Sequence, residues 1–251
     1  MKKIFAFGDS FVSGDQDDFE HEYDKSDARY PTHGMDFHTR DQFLKYNVSF
    51  ISIIAKRLEI GLVNLSERGS GTFPQIDILL QTIRDGKISR GDIVFFGFTT
   101  LVRDRLSLLQ FEKTVSKAYG ACLIDKLLVD DQHAILENDL VMFLLIIDNL
   151  SKFIGFKIFF LHLFDTLSLL DLKRTLLSQF NFTGYIGQDV KGNTCIDILN
   201  DTWGKGIIHK PDLSDILSNY LDLYTYRGHP SIKGHQKIAE WLLSNVNWND
   251  E

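Results

Sequence analysis

Short apolar runs alternate along the chain with longer stretches in which apolar residues recur every three to four positions. The first kind reads as buried parallel strands and the second as amphipathic helices. Four runs read as strands: Ile4 to Phe7, Leu62 to Leu65, Ile93 to Phe96, and Lys157 to Leu161. Residues 47–58 place Phe50, Ile54 and Leu58 on one stripe and predict a helix. Pro74 fits the first position of a second helix that runs through Gln75 to Arg84 and closes at Gly86. A long helix is predicted over 134–154, ended by Gly155. The last is predicted over 231–246, with Ser231 as N-cap and Ile238, Leu242 and Val246 as its core stripe. Residues 167–180 also read as helix, residues 105–120 fit no single period, and the glycine-rich 181–210 reads as loop. Residues 11–45 are polar and acidic with little periodicity, and predict a loop or lid with room for one short helix.

Strands alternating with helices give a βαβ chain. The expected architecture is a single α/β domain over 1–251. It is a three-layer α/β/α sandwich around a four- or five-stranded parallel sheet of the flavodoxin-like type. A length of 251 residues suits one such domain, and no linker divides it. In these sheets ligands bind beyond the carboxyl ends of the strands, so chemistry is expected just after Phe7, Leu65, Phe96 and Leu161.

Composition narrows the partners. A net charge of −7 with no Lys/Arg cluster argues against nucleic acid. Cys122 and Cys195 lack zinc-site spacing and are expected as two buried thiols. The apolar run that follows Lys2 and Lys3 is too short for a signal peptide, and Asp148 interrupts the most apolar helix. A cytoplasmic protein with no membrane partner is expected. The acidic stretch 15–27, with His21, His33 and His38 in or near it, matches no metal-ligand spacing and reads as a solvated lid.

Candidate chemistry lies where the fold predicts it. Gly8-Asp9-Ser10 follows the first strand directly, and a serine there needs a base within hydrogen-bond reach to act as nucleophile. His229, in Arg227-Gly228-His229-Pro230, precedes the last helix, which the fold can return to the same edge. Gly69 follows the second strand, five residues after Asn64, and Thr99 and Thr100 follow the third. These could supply donors to a developing oxyanion. Taken singly, each is an ordinary cap, turn or strand-end residue. Together they form an ordered set, each at a predicted strand end or before the last helix.

In this set the sequence resembles the SGNH (GDSL) hydrolase family. FAFGDSFVSG resembles the family's first block, which carries the nucleophile and one oxyanion N–H. VNLSERGSG is similar to the second, whose glycine donates another, and RGHPSIKGHQKIAEWL is similar to the fifth, with the catalytic histidine before a proline. VFFGFTTLVRDR stands in the third block's place, with Thr99 where asparagine is usual, Thr100 where aspartate follows, and Arg103 where related variants carry an arginine. The acid that usually precedes the histidine by two or three residues is absent, since those positions hold Arg227 and Tyr226. The resemblance covers nearly the whole chain.

It implies Ser10 as nucleophile and His229 as base. Ser10, Gly69 and Thr99 or Thr100 would form the oxyanion hole, and Asp9 and Arg103 would contact substrate or loop. The imidazole would be oriented by a backbone carbonyl or by Asp222, or by nothing, which would leave the site nearly inactive. No cofactor or metal is implied. The expected activity is hydrolysis of a small acyl ester, with acetyl on a carbohydrate as one candidate. The alternatives are a catalytically weak binding or structural module of the same fold, or an O-acyltransferase, in a polysaccharide or phage-type assembly.

Overall fold

The computed structural model describes residues 2–14, 35–99, 131–162, 229–246 and 248. Four strands run through them: β1 (Lys3–Phe7), β2 (Gly61–Asn64), β3 (Ile93–Phe98) and β4 (Lys157–His162). They form one parallel sheet in the order β2-β1-β3-β4. The described residues also form six α-helices: α1 (Ser10–Ser13), α2 (Phe37–Phe43), α3 (Phe50–Arg57), α4 (Thr72–Arg84), α5 (Asp131–Ile154) and α6 (Ile232–Asn245).

The register explains the two cores. Ile4 lies opposite both Leu62 and Ile93, and Phe7 lies opposite Phe96. Because side chains alternate across a strand, residues in register share a face. Ile4, Ala6, Ile93, Phe95, Phe159 and Leu161 pack with Phe50 and Ile54 of α3 and with Ile238 and Leu242 of α6. Phe5, Phe7, Val94, Phe96, Phe98, Ile158 and Phe160 pack on the opposite side, with Ile76 and Leu79 of α4 and Leu140, Phe143, Leu144 and Ile147 of α5. The α5 residues fall at i, i+3, i+4 and i+7, one helical stripe. Both faces of the sheet are covered, as a parallel sheet requires, and the expected three-layer α/β/α arrangement is the observed one.

Several boundaries differ from the sequence reading. The helix expected over 47–58 begins only at Phe50, and Leu44–Val48 ahead of it is a π-helical turn. Ser49 caps α3, its hydroxyl accepting from the Ser52 N–H. Pro74 occupies the third helical position of α4, not the first. The first four N–H groups of any helix lack an intrahelical acceptor, so a proline fits there equally well. β3 extends two residues beyond Phe96. At the ends of the 11–45 segment the chain forms α1 and α2, while 15–34 lies outside the described residues, as do 105–120, 167–180, 181–210, Cys122 and Cys195. Ser231 caps α6 as expected, accepting from the Gly234 N–H at 3.1 Å. No helix among the described residues is long and apolar enough to cross a membrane.

Candidate active site

β1 neighbours β2 on one side and β3 on the other, so connections leave its carboxyl end in opposite directions and open a crevice there. The turn from β1 into α1 fills that crevice. Gly8 has φ +151, and a Cβ built on it would lie 2.5 Å from Val12 Cγ2 and 3.3 Å from the Gly97 carbonyl oxygen. Only glycine lets the chain reverse so closely between its own next helical turn and β3. Asp9 then caps α1. Its Oδ1 accepts from the Phe11 N–H at 2.9 Å, and its main-chain carbonyl accepts from Val12 and Ser13. Ser10 is the first residue of α1, and Gly14, at φ 77, ends it.

Ser10 Oγ lies 2.8 Å from His229 Nε2, although 219 residues separate them. The His229 ring packs against Phe11, with centroids 5.4 Å apart, and its Nδ1 is buried. For Nε2 to accept from the serine hydroxyl, Nδ1 must carry the ring proton. Asp222, Tyr226 and Arg227, the positions bearing on what holds that proton, lie outside the described residues, as do Thr100 and Arg103.

The loop after β2 meets the same turn. The Glu67 N–H donates to the Gly8 carbonyl at 3.0 Å, and Ser70 N–H donates back to the Glu67 carbonyl, closing a tight turn. Gly69 sits in this turn at φ +67, and a Cβ there would meet nothing within 4 Å. Glycine is demanded here by backbone conformation, not by space. Asn64 fixes the approach: its amide donates to the Val12 carbonyl at 3.2 Å and its oxygen accepts from the Ser66 N–H at 3.1 Å.

Thr99, at the end of β3, is buried. Its hydroxyl donates to Asp9 Oδ2 at 3.2 Å. A hydroxyl has one proton, so in this arrangement the Thr99 proton is directed at Asp9. Asp9 itself is fully buried, and its carboxylate bridges the start of α1 to the end of β3.

Two buried polar residues that the sequence reading did not single out complete this end of the sheet. Gln75 Oε1 accepts from the Gly8 N–H at 2.9 Å, and its Nε2 donates to Ser70 Oγ at 3.1 Å. Thr72 Oγ1 accepts from the Thr99 N–H at 3.3 Å. The available signal was their i, i+3 spacing, which puts both on one face of α4 where it leaves the β2 loop. His235, on α6, is fully buried. Its Nδ1 accepts from the Phe50 N–H at 3.3 Å, and its ring stacks on Phe50. Burial, and secondarily the nearby His229, push its pKa down to about 3.

No protein-family model and no curated protein matches the sequence. Solved structures do. One is a protein assigned to the lipolytic G-D-S-L family from Desulfitobacterium hafniense, with a TM-score of 0.51 at 12% identity, covering 98% of this chain and 100% of that one. Another is a member of the same family from Veillonella parvula, with a TM-score of 0.50 at 14% identity, covering 97% of each chain. Similarity along the full length at such low identity speaks to architecture, and the fold of this chain is the α/β fold of the G-D-S-L, or SGNH, lipolytic proteins.

Proposed function

We propose that the protein is a serine ester hydrolase in which Ser10 is the nucleophile and His229 its base. One observation carries the reading: a 2.8 Å contact between Ser10 Oγ and His229 Nε2 at the carboxyl edge of a parallel sheet. In the proposed cycle Ser10 Oγ attacks the ester carbonyl carbon while its proton passes to His229 Nε2. The tetrahedral intermediate collapses, the C–O bond to the alcohol breaks, and the alcohol leaves with the proton from His229. Water, deprotonated by His229, then hydrolyses the acyl-serine. The Ser10 and Gly69 N–H groups would donate to the oxyanion.

Thr99 and Thr100 are the candidates for a third donor. Thr99 would have to turn its hydroxyl away from Asp9 to serve. Asp9 acts on the loops, joining β1 to β3, and Arg103 is a substrate or loop contact. A small acyl group, with acetyl on a carbohydrate as one case, is the substrate class proposed, and no cofactor is called for. The imidazole is held by a backbone carbonyl in a Ser–His dyad, with Asp222 as the competing partner. A thousands-fold fall in kcat for Asp222→Asn would favour the acid, since loss of a triad acid costs roughly 10⁴.

The direct test is Ser10→Ala. It should abolish hydrolysis of p-nitrophenyl acetate and labelling by a fluorophosphonate probe while leaving thermal stability nearly unchanged. Hydrolysis at the wild-type rate in that variant would defeat the proposal. A wild-type protein that neither labels nor hydrolyses, beside an active control esterase, would favour the alternative of a binding module with this fold.

A further inference from the structure

The first turn of α4 touches all three loops that the proposed function assigns to the oxyanion hole. Gln75 reaches the β1 loop through the Gly8 N–H, two residues before the nucleophile, at 2.9 Å. The same side chain reaches the β2 loop through Ser70 Oγ, next to Gly69, at 3.1 Å. Thr72 reaches the β3 loop through the Thr99 N–H at 3.3 Å, and its own hydroxyl lies 3.4 Å from the Thr99 carbonyl. Both residues are 1% exposed. Buried amides and hydroxyls are retained where their hydrogen bonds are made, because leaving either partner unpaired costs free energy. Here those bonds do not join neighbouring strands. They span three separate connections converging on one point, and strand pairing ends short of all of them.

We infer that Gln75 and Thr72 are positioning residues. Gln75 sets the distance between the Ser10 and Gly69 arms of the oxyanion hole, and Thr72 holds the β3 arm against them. The inference rests on the proposed function for what the three loops do, but the tie itself is a statement about structure. A glutamine suits the task because its carboxamide offers an acceptor to a backbone N–H and a donor to a hydroxyl from one rigid plane. The β1 loop presents the N–H and the β2 loop presents the hydroxyl, so the two ends of one amide fix both. An oxyanion hole depends on donors held at fixed positions, and a displacement of about 1 Å can cost about 10²-fold in rate.

The test uses Gln75→Met, which keeps the length and apolar shaft of the side chain and removes both bonds. It is paired with Thr72→Val and Thr72→Ser. For Gln75→Met we expect kcat on p-nitrophenyl acetate to fall about 10²-fold with little change in KM, and fluorophosphonate labelling of Ser10 to slow in parallel. The Gly8 amide should exchange faster with deuterium. Thr72→Val should lower kcat in the same way, and Thr72→Ser, which restores the hydroxyl, should recover most of it. A packing role alone would lower the melting temperature and leave the kcat of the folded enzyme untouched. Gln75→Met with wild-type kcat and unchanged Gly8 exchange, beside an inactive Ser10→Ala, overturns the inference and leaves the proposed function standing. Wild-type turnover by Ser10→Ala removes the proposed function, and the inference with it. If Gln75→Met does not fold, Ser70→Ala decides: it cuts only the far half of the bridge, and an unchanged kcat there refutes the tie.

Discussion

At the scale of single residues, two glycines at the candidate site are required for different reasons, and the difference can be measured. Gly8 combines φ +151 with a Cβ position 2.5 Å from Val12 Cγ2, whereas Gly69 has φ +67 and open space. Gly69→Ala should therefore meet only the left-handed backbone penalty, about 1–2 kcal/mol. Gly8→Ala should add overpacking of about 1–3 kcal/mol against the first turn of α1, and should also displace Ser10. Urea unfolding of the two variants should rank Gly8→Ala as clearly the less stable, and equal midpoints would contradict the packing of the β1–α1 turn. Both glycines were legible in the sequence as motif members. Their distinct physical reasons were not, because a φ angle and a neighbour 2.5 Å away depend on the fold. The same holds for Thr99. Its position after an apolar run marked it as a donor candidate, but that its proton points to Asp9 depends on two loops 90 residues apart coming together.

At the scale of elements, strand and helix existence followed from apolar periodicity, while their ends followed from contacts the periodicity does not contain. Phe50, Ile54, Ile238 and Leu242 were readable as core because burial on one face is what creates the period. The start of α3 was not. The 47–58 pattern begins inside the π-helical turn Leu44–Val48, and α3 starts only after Ser49. Gln75 was hidden for a similar reason, since a glutamine in a helix ordinarily faces water, and its i, i+3 spacing from Thr72 marks a shared face without telling that this face is buried. Caps were more legible because they act within a few residues. Ser231 accepts from the Gly234 N–H and begins α6 two residues after His229. Ser231→Ala should cost about 1 kcal/mol in urea unfolding. Because the cap fixes where the helix begins, it should also loosen His229 and lower kcat. A variant that loses neither stability nor rate would show that the His229 loop is held from elsewhere.

At the scale of the whole molecule, the sheet order β2-β1-β3-β4 places the candidate site before any side chain is considered, because the crevice at the end of β1 exists wherever neighbouring connections diverge. The histidine on α6 that does not reach this crevice has a consequence for the stability of the whole fold. His235 is fully buried. Its Nδ1 accepts from the Phe50 N–H, so its proton sits on Nε2, which has no hydrogen-bond partner among the described residues. Burial first, and the nearby His229 second, lower its pKa from the ordinary 6.5 to about 3. Between these two values the unfolded chain binds a proton that the folded chain excludes, so acid favours unfolding. The contribution of the neutral ring is complete above pH 6.5 and is lost as pH falls below it, at about 1.4 kcal/mol per pH unit until the folded value is reached. Unfolding free energies of wild type and His235→Gln, measured in urea at pH 7, 6 and 5, isolate this term, because every other titrating group is common to both proteins. The stability of wild type relative to His235→Gln should shift against wild type by about 1.2 kcal/mol between pH 6 and pH 5. A difference that stays constant over that interval would mean that His235 accepts a proton in the folded protein, which its burial against Phe50 does not permit.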